Sequence, residues 1–478
     1  MPSTRLLFAF GAASAAILML SSRGGSARAA ATDASMHDVL ARIIGEEAIS
    51  EGAYHKLAYL TDRIGARLSG SPGAASAVSW ATQEFRRDGL RAYTEKVMVP
   101  HWVRGEEAAS ILSPISRKLV ITALGMSVPT PTEGIQGEVL EAGSFDELHA
   151  LGEKVRGKIV LYYRPMQRHP EGDDYGPAAT LRYQGAAEAA KLGAVATLIR
   201  SVGTLSARLP HTGSHSYKEG VEKIPAAALA AEDADLIHRL ISSGETVRVK
   251  LVLGCKLLPD AESANVIGEL KGRSHPEEFV VVGGHLDSWD LGTGAIDNGA
   301  RVAVPMEALA ILKKLKLHPK RTIRAVLFMN EENGGRGGKA YAEAHLKELG
   351  RHVAAIESDG GAGSPLGFGG GAGEGALARV AALARALQSV GSAQGVKDGG
   401  GGVDTGPMRE AGVPLLSLRQ DMTYYFDYHH TAADTLDKVD RRDLADNAVA
   451  LAYMALALAN LDPPLARIPE DQRHDPER

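Results

Sequence analysis

The chain has 478 residues, 44% of them apolar, a formal net charge of -5 and a single cysteine, Cys255. That composition excludes an intrinsically disordered chain, offers no basic patch to a nucleic acid, and leaves no intrachain disulfide to hold the fold. The length suits two domains, or one large domain carrying an insertion.

Residues 1–31 read as a secretory signal peptide. Arg5 supplies the positive start, residues 6–20 an apolar stretch short for a membrane span, and Ala27-Arg28-Ala29 and Ala29-Ala30-Ala31 two small-x-small cleavage sites. The reading places the protein in the periplasm or outside the cell, with no membrane association after cleavage.

Residues 32–127 form the N-terminal part of the domain that residues 255–462 complete, helical over 36–90. Ser71-Pro72 is an N-cap followed by proline at the first helical position, and Ala77, Trp80, Ala81 and Phe85 follow at helical spacing before Gly89.

Residues 128–254 change character. A buried strand over 158–163, a helix over 181–192, a strand over 194–199 and a strand-helix pair from Ile224 are followed by alternation of Val247, Val249, Leu251 and Leu253 with Arg248 and Lys250. His211 and His215 fall in a Gly/Ser-rich stretch and read as a solvated loop rather than a metal site.

From 255 to 462 strands and helices alternate, the signature of a mixed, mostly parallel α/β sheet with helices on both faces. Strands are expected over 278–284, 322–329, 353–356 and 413–418, and helices over 300–317, 338–347, 376–390 and 442–461. The Gly-rich stretch 360–375 reads as a loop at the rim of the site, and 463–478 as a disordered tail.

Each strand of this last region delivers polar residues at its carboxyl end, where open α/β sheets bind ligands. In order they are Gly284-His285-Leu286-Asp287, Asp297-Asn298-Gly299 in the following loop, Glu331-Glu332, Glu357-Ser358-Asp359, and Tyr428-His429-His430-Thr431. Imidazoles and carboxylates without thiolates favour Zn²⁺, with Co²⁺ or Mn²⁺ as substitutes. The donors suffice for two ions, and two cations about 3.5 Å apart need a shared carboxylate, for which Asp297 is the natural bridge. Asp287, two residues after His285, is placed to orient that imidazole. Asp404 either meets a substrate amine or caps the segment after it. Tyr424 and Tyr425 line the pocket or sit in the core.

The segments GGHLDSWDLGTGAIDNGA, HPKRTIRAVLFMNEENGGRGG, ESDGG and AGVPLLSLRQDMTYYFDYHHTAADT resemble those of the co-catalytic dizinc exopeptidases, the family of leucyl aminopeptidases and glutamate carboxypeptidase, with the carboxypeptidase Q branch nearest. The resemblance implies the zinc-exopeptidase (phosphorylase/hydrolase-like) fold with an inserted protease-associated domain. It implies two zinc ions per chain. His285 and Asp359 would hold one, Glu332 and His430 the other, with Asp297 bridging and Glu331 as general base. His430 is preferred to His429 because it directly precedes Thr431; His429, Asp404 and Tyr425 become candidate substrate contacts. The Asp297–Asn298 bond would be cis, and Asn298 and Arg336 depart slightly from the family pattern. The implied activity is hydrolysis of dipeptides or short peptides by attack of a metal-bound hydroxide, with a homodimer implied as well. Alternatives are an aminopeptidase on longer peptides, a glutaminyl cyclase, and a non-catalytic receptor-like ectodomain.

Overall fold

The computed structural model describes residues 36–391 and 395–473. The expected signal peptide lies outside the described residues. Within them no helix is long and apolar enough to cross a membrane.

Two eight-stranded sheets organise the chain. The first contains β1 (Arg91–Val103), β2 (Lys256–Leu270), β3 (His275–His285), β4 (Arg321–Phe328), β5 (His352–Glu357), β6 (Pro365–Gly371), β7 (Val396–Asp398) and β8 (Leu415–Gln420). Their order across the sheet is β1-β2-β4-β3-β5-β8-β6-β7. The four central strands β4, β3, β5 and β8 run parallel, with antiparallel neighbours on each side. These strands are covered on both faces: β4 is buried at every position, and its buried arginines Arg321 and Arg324 pair with Glu278 and Glu269. The helices Ala300–Lys314 and Arg441–Asn460, both buried over most of their length, lie together against this sheet.

Register explains why the polar residues meet. His285 pairs with Phe328, and Gly283 pairs with both Val326 and Glu357. The parallel strands β3, β4 and β5 therefore end at one level, and the residues that follow each of them emerge on the same edge.

The second sheet spans Glu107–Leu253 and mixes parallel with antiparallel pairs. It begins upstream of the expected boundary at 128, since Glu107–Ser113, Arg117–Leu119 and Ile121–Ala123 all pair within it. The alternation expected near residue 250 is present in Arg248–Leu253, whose burial alternates along its length. Ser71 accepts the Ala74 amide at 3.1 Å ahead of the helix Pro72–Arg87, as a capping residue should.

Two expectations fail. The glycine-rich 360–375 stretch is not simply a rim loop, because 365–371 forms β6 and pairs antiparallel with β8; glycine carries no side chain from which a strand can be read. The described part of the tail, 463–473, is packed rather than disordered. Leu465 and Ile468 are buried, and Arg467 donates to the carbonyls of Leu349 and Ala411.

Candidate metal centre

Five sequence-distant residues converge at the carboxyl ends of the central strands. His285 Nε2 lies 3.4 Å from Asp297 Oδ1 and 3.4 Å from Asp359 Oδ1. His430 Nε2 lies 3.2 Å from Asp297 Oδ2 and 3.2 Å from Glu332 Oε2. Asp297 thus turns one oxygen to each group. Glu331 Oε2 stands 3.9 Å from His285 Nε2.

The residues fit zinc. Tetrahedral zinc with ligands at about 2.0–2.1 Å separates adjacent ligand atoms by about 3.3 Å, matching the spacings above. Glu332 Oε1 is buried with no hydrogen-bond partner among the described residues. Burial, together with the Asp297 charge, pushes Glu332 up to about 7. Burial and the carboxylates of Asp359, Glu332 and Asp404 push Glu331 well above the usual carboxylate range. A crowd of acids that raise one another in this way is what a cation relieves. His285, although burial pulls it down, is raised well above the usual imidazole value by Asp287, Asp297 and Asp359.

Main-chain geometry aims the donors. His430 adopts a left-handed conformation, φ 62°, and Asn330, just before the glutamate pair, φ 76°. Such conformations are costly for residues with a Cβ and cluster at functional sites. The Asp297–Asn298 bond is cis, as the resemblance implied. Asp434 accepts the amides of Ala295, Ile296 and Asp297 at 2.8, 2.7 and 3.2 Å, pinning the loop that carries the bridge. Arg67, fully buried, donates to the carbonyls of Leu286, Thr293 and Gly294 and ties the same loop to β3. Gly338 lets the next helix start against the 403–404 segment, where a Cβ would meet the Asp404 carbonyl oxygen at 2.3 Å. Arg336 points elsewhere, pairing with Asp260 and donating to the Met98 carbonyl.

Asp287 acts differently from the expectation. The acceptor for His285 Nδ1 is the Asp287 main-chain carbonyl, at 3.0 Å, while its carboxylate oxygen is 3.6 Å away. That carboxylate is engaged by the amides of Asn330 and Glu331 at 2.9 and 3.1 Å and by the Ser69 hydroxyl at 3.1 Å. It holds the backbone under the glutamate pair.

A cavity of about 620 Å³ opens over the donors, lined by Asp297, Glu331, Glu332, Asp359, His430, His429 and Tyr425 from the first sheet's loops and by Tyr175, Arg182 and Ser214 from the second sheet's side. His429 stacks on His430 at 3.5 Å and lies 3.4 Å from Asp297 Oδ2. Burial and the neighbouring His430 push His429 well below the usual imidazole value. Tyr425 lines the cavity, and burial together with Asp297 and Asp359 holds its phenol firmly protonated; Tyr424 is exposed beside Arg168. Asp404 is not among the lining residues, where its neighbour Val403 stands instead. Its carboxylate is fully buried and unpartnered among the described residues, so it caps no segment there.

His211 and His215 are buried, not solvated. The loop between them reaches the metal donors: the Thr212 amide donates to the His430 carbonyl at 2.9 Å. Asp434, Arg67, Arg182 and Thr212 had no assigned part in the sequence reading. Asp434 alone carried a signal, being an acid four residues after a donor.

The sequence profile of peptidase family M28 matches residues 265–455. Carboxypeptidase Q of Mus musculus is 40% identical over 416 residues, 87% of each chain. A peptidase M28 precursor from Shewanella amazonensis SB2B is 40% identical with a TM-score of 0.89, covering 91% of this chain and 99% of that one. A zinc aminopeptidase from Bacillus subtilis shares the fold at 20% identity and a TM-score of 0.62, covering 84% of this chain and 93% of that one.

Proposed function

Because the chain belongs to peptidase family M28, we propose that the cavity over Asp297 hydrolyses the terminal bond of dipeptides or short peptides carrying free ends. The chain is a zinc metallo-exopeptidase. The observation that carries the finer reading is the Asp297 carboxylate, one oxygen directed to His285 and the other to His430, which itself meets Glu332. His285 and Asp359 would hold one zinc ion, Glu332 and His430 a second, and Asp297 both. Co²⁺ or Mn²⁺ would serve as substitutes.

Bound zinc supplies Lewis acidity to the scissile carbonyl and to water. The rest is done by the chain. Glu331, at the cavity wall and free of a ligand role, takes the proton of the attacking water and returns it to the leaving amine. The carboxylate of Asp287 fixes the Glu331 amide, so the base is held by its backbone. Tyr425, protonated at the cavity wall, would donate to the oxygen on which charge develops. His429 contributes wall and packing behind His430.

An aminopeptidase acting on longer peptides is favoured by one feature, a second cavity of about 300 Å³ that shares Tyr183, Ser214 and Gly334 with the first. The intact donor set and base speak against a receptor-like ectodomain, and nothing in the site favours a glutaminyl cyclase. The second sheet is the counterpart of a protease-associated insertion. Export to the periplasm or medium rests on residues 1–31, and a homodimer on the resemblance alone.

The deciding experiment measures kcat/KM on a free dipeptide, its N-acetyl form and its C-terminal amide, with zinc quantified per chain. Preference for the doubly free substrate at two zinc ions per chain is the expected result. Equal rates on the N-acetyl form would exclude recognition of the amino end.

A further inference from the structure

The second cavity, of about 300 Å³, adjoins the catalytic one through Tyr183, Ser214 and Gly334, which line both. Gly334 stands two residues after Glu332, and Asn333 between them is also part of the wall. The facing wall comes from the second sheet's side, where Met126 Sδ lies 3.8 Å from Asn333 Nδ2. His215 belongs to that wall and is 4% exposed.

His215 carries an unanswered acceptor. Its Nδ1 lies 2.8 Å from the Gly125 carbonyl oxygen, which can only accept, so Nδ1 holds the ring's hydrogen. Burial pulls the imidazole from 6.5 to about 4, so the ring is neutral near pH 7 and Nε2 presents a lone pair. Nε2 is buried and has no hydrogen-bond partner among the described residues. A buried polar atom left in that state is costly. Its polar neighbours are satisfied. The Tyr217 hydroxyl donates to the Ile224 carbonyl at 2.7 Å and accepts the Val128 amide at 3.1 Å. The Ser127 hydroxyl donates to the Val128 carbonyl at 3.0 Å and accepts the Ala226 amide at 3.0 Å.

A hydrogen-bond donor from the ligand completes Nε2, and the cavity decides which kind. Among the described residues that line it, Lys223 is the one charged side chain, so a ligand ammonium would meet a like charge. A carboxylate has no hydrogen to give. Met126, Val128, Pro129 and Leu257 frame the rest, an apolar wall that suits a neutral side chain. A hydroxyl or a carboxamide remains. The place of the cavity says which part of the substrate brings it. Glu331 returns its proton to the leaving amine, so the leaving residue lies on the Glu331 side of the metal donors. The cavity opens beside the turn that Glu331 begins. The side chain one residue beyond the cleaved bond fills it, and no longer peptide is required.

We propose that His215 Nε2 accepts a hydrogen bond from a hydroxyl or carboxamide on the side chain of the leaving, carboxyl-terminal residue, which makes the second cavity the specificity pocket for that residue. The proposal rests on the exopeptidase reading above and adds which leaving residues the site prefers.

The test uses the zinc-loaded full chain and pairs of dipeptides that differ in one donor: alanyl-tyrosine against alanyl-phenylalanine, and alanyl-glutamine against alanyl-methionine. Wild type should favour the donor-bearing member of each pair by about 10-fold or more in kcat/KM, because the other member leaves a polar atom of the site unpaired. In His215→Phe that ratio should fall to near unity at unchanged zinc content, and His215→Gln, which keeps an acceptor, should retain part of it. Leu257→Trp, a change at an exposed wall position, should narrow the cavity and slow alanyl-tyrosine and alanyl-phenylalanine relative to alanyl-alanine. If wild type treats the members of each pair alike, or H215F keeps the wild-type ratio, the His215 assignment is overturned while hydrolysis of dipeptides stands. Equal effects of L257W on all three alanyl substrates would likewise overturn the pocket. If wild type with zinc bound cleaves none of the dipeptides, the exopeptidase reading fails and the assignment falls with it.

Discussion

Thr212 and His430 hold each other by their main chains: the Thr212 amide donates to the His430 carbonyl at 2.9 Å, and His430 Nδ1 lies 3.2 Å from the Thr212 carbonyl oxygen. One residue belongs to a loop of the second sheet's region and the other is a proposed metal donor. Partners of this kind set the tautomer and tilt of a ligating imidazole, and their loss weakens metal binding by about 10- to 100-fold. Thr212→Pro, which removes the amide hydrogen, should lower zinc affinity within that range, read by competition with a chelator. Unchanged affinity would show that the His430 ring is set without Thr212.

Glu331→Gln should lower kcat by roughly 10²- to 10⁴-fold, the usual contribution of a positioned base, with zinc content unchanged. Glu332→Gln and His430→Ala should lose zinc, whereas His429→Ala should keep it. Both imidazoles approach Asp297 Oδ2, at 3.4 Å for His429 and 3.2 Å for His430, but only His430 also meets Glu332. Zinc loss in the His429 variant and retention in the His430 variant would reverse their roles.

Asp287→Ala should leave the main-chain acceptor of His285 in place and strip the Asn330 and Glu331 amides of theirs. Each buried amide left unbonded costs about 1–3 kcal/mol. The expected signature is a lower unfolding midpoint and a kcat reduced about tenfold or more with zinc retained. Loss of zinc without loss of stability would instead mean that the carboxylate orients His285.

Glu47 is buried near Glu307, which Lys56 approaches at 2.6 Å. Burial first, and the Glu307 charge second, push Glu47 from 4.5 to about 8. A carboxyl raised in the native state binds more protons folded than unfolded, so its contribution is fullest below about 4.5 and is lost as pH rises toward about 8. Urea unfolding across that window should show wild type losing stability relative to Glu47→Gln, since each tenfold change in proton affinity between the folded and unfolded states is worth about 1.4 kcal/mol. Parallel pH profiles for the two proteins would refute this.

Truncation after Asp462 should cost about 2–5 kcal/mol, the range for emptying a buried Leu or Ile site. Leu465 is 5% exposed and Ile468 1%, so removing both opens the core that they cover. An unchanged melting temperature would mean that the tail only rests on the surface.

The candidate metal donors, which the structure brings together, and the central strands were legible because their signal is local. A strand buried on both faces reads as an apolar run, as in Ala325–Phe328, and a ligand cluster reads as polar residues just past its end. The strand at 365–371 was missed because glycines carry no apolar pattern. His211 and His215 were misread because their burial comes from tertiary packing, His215 against Gly125, 90 residues earlier, and His211 against Gly203. Thr212 was beyond reach for the same reason: the contact that gives it its part, with His430, lies across the two sheets. Asp287 was placed correctly near His285, but whether its carbonyl or its carboxylate did the work depended on where the Asn330 and Glu331 amides pointed.

The three amides that Asp434 accepts lie 137 to 139 residues earlier in the chain, around the bridging Asp297. During synthesis, therefore, the ribosome must release nearly the whole catalytic region before the bridge is fixed. A nascent or prematurely ended chain would own every donor from His285 to Asp359 and still have no finished place for zinc. A chain that stops short of Asp434 leaves the Ala295, Ile296 and Asp297 amides without their acceptor, however complete the strands before it.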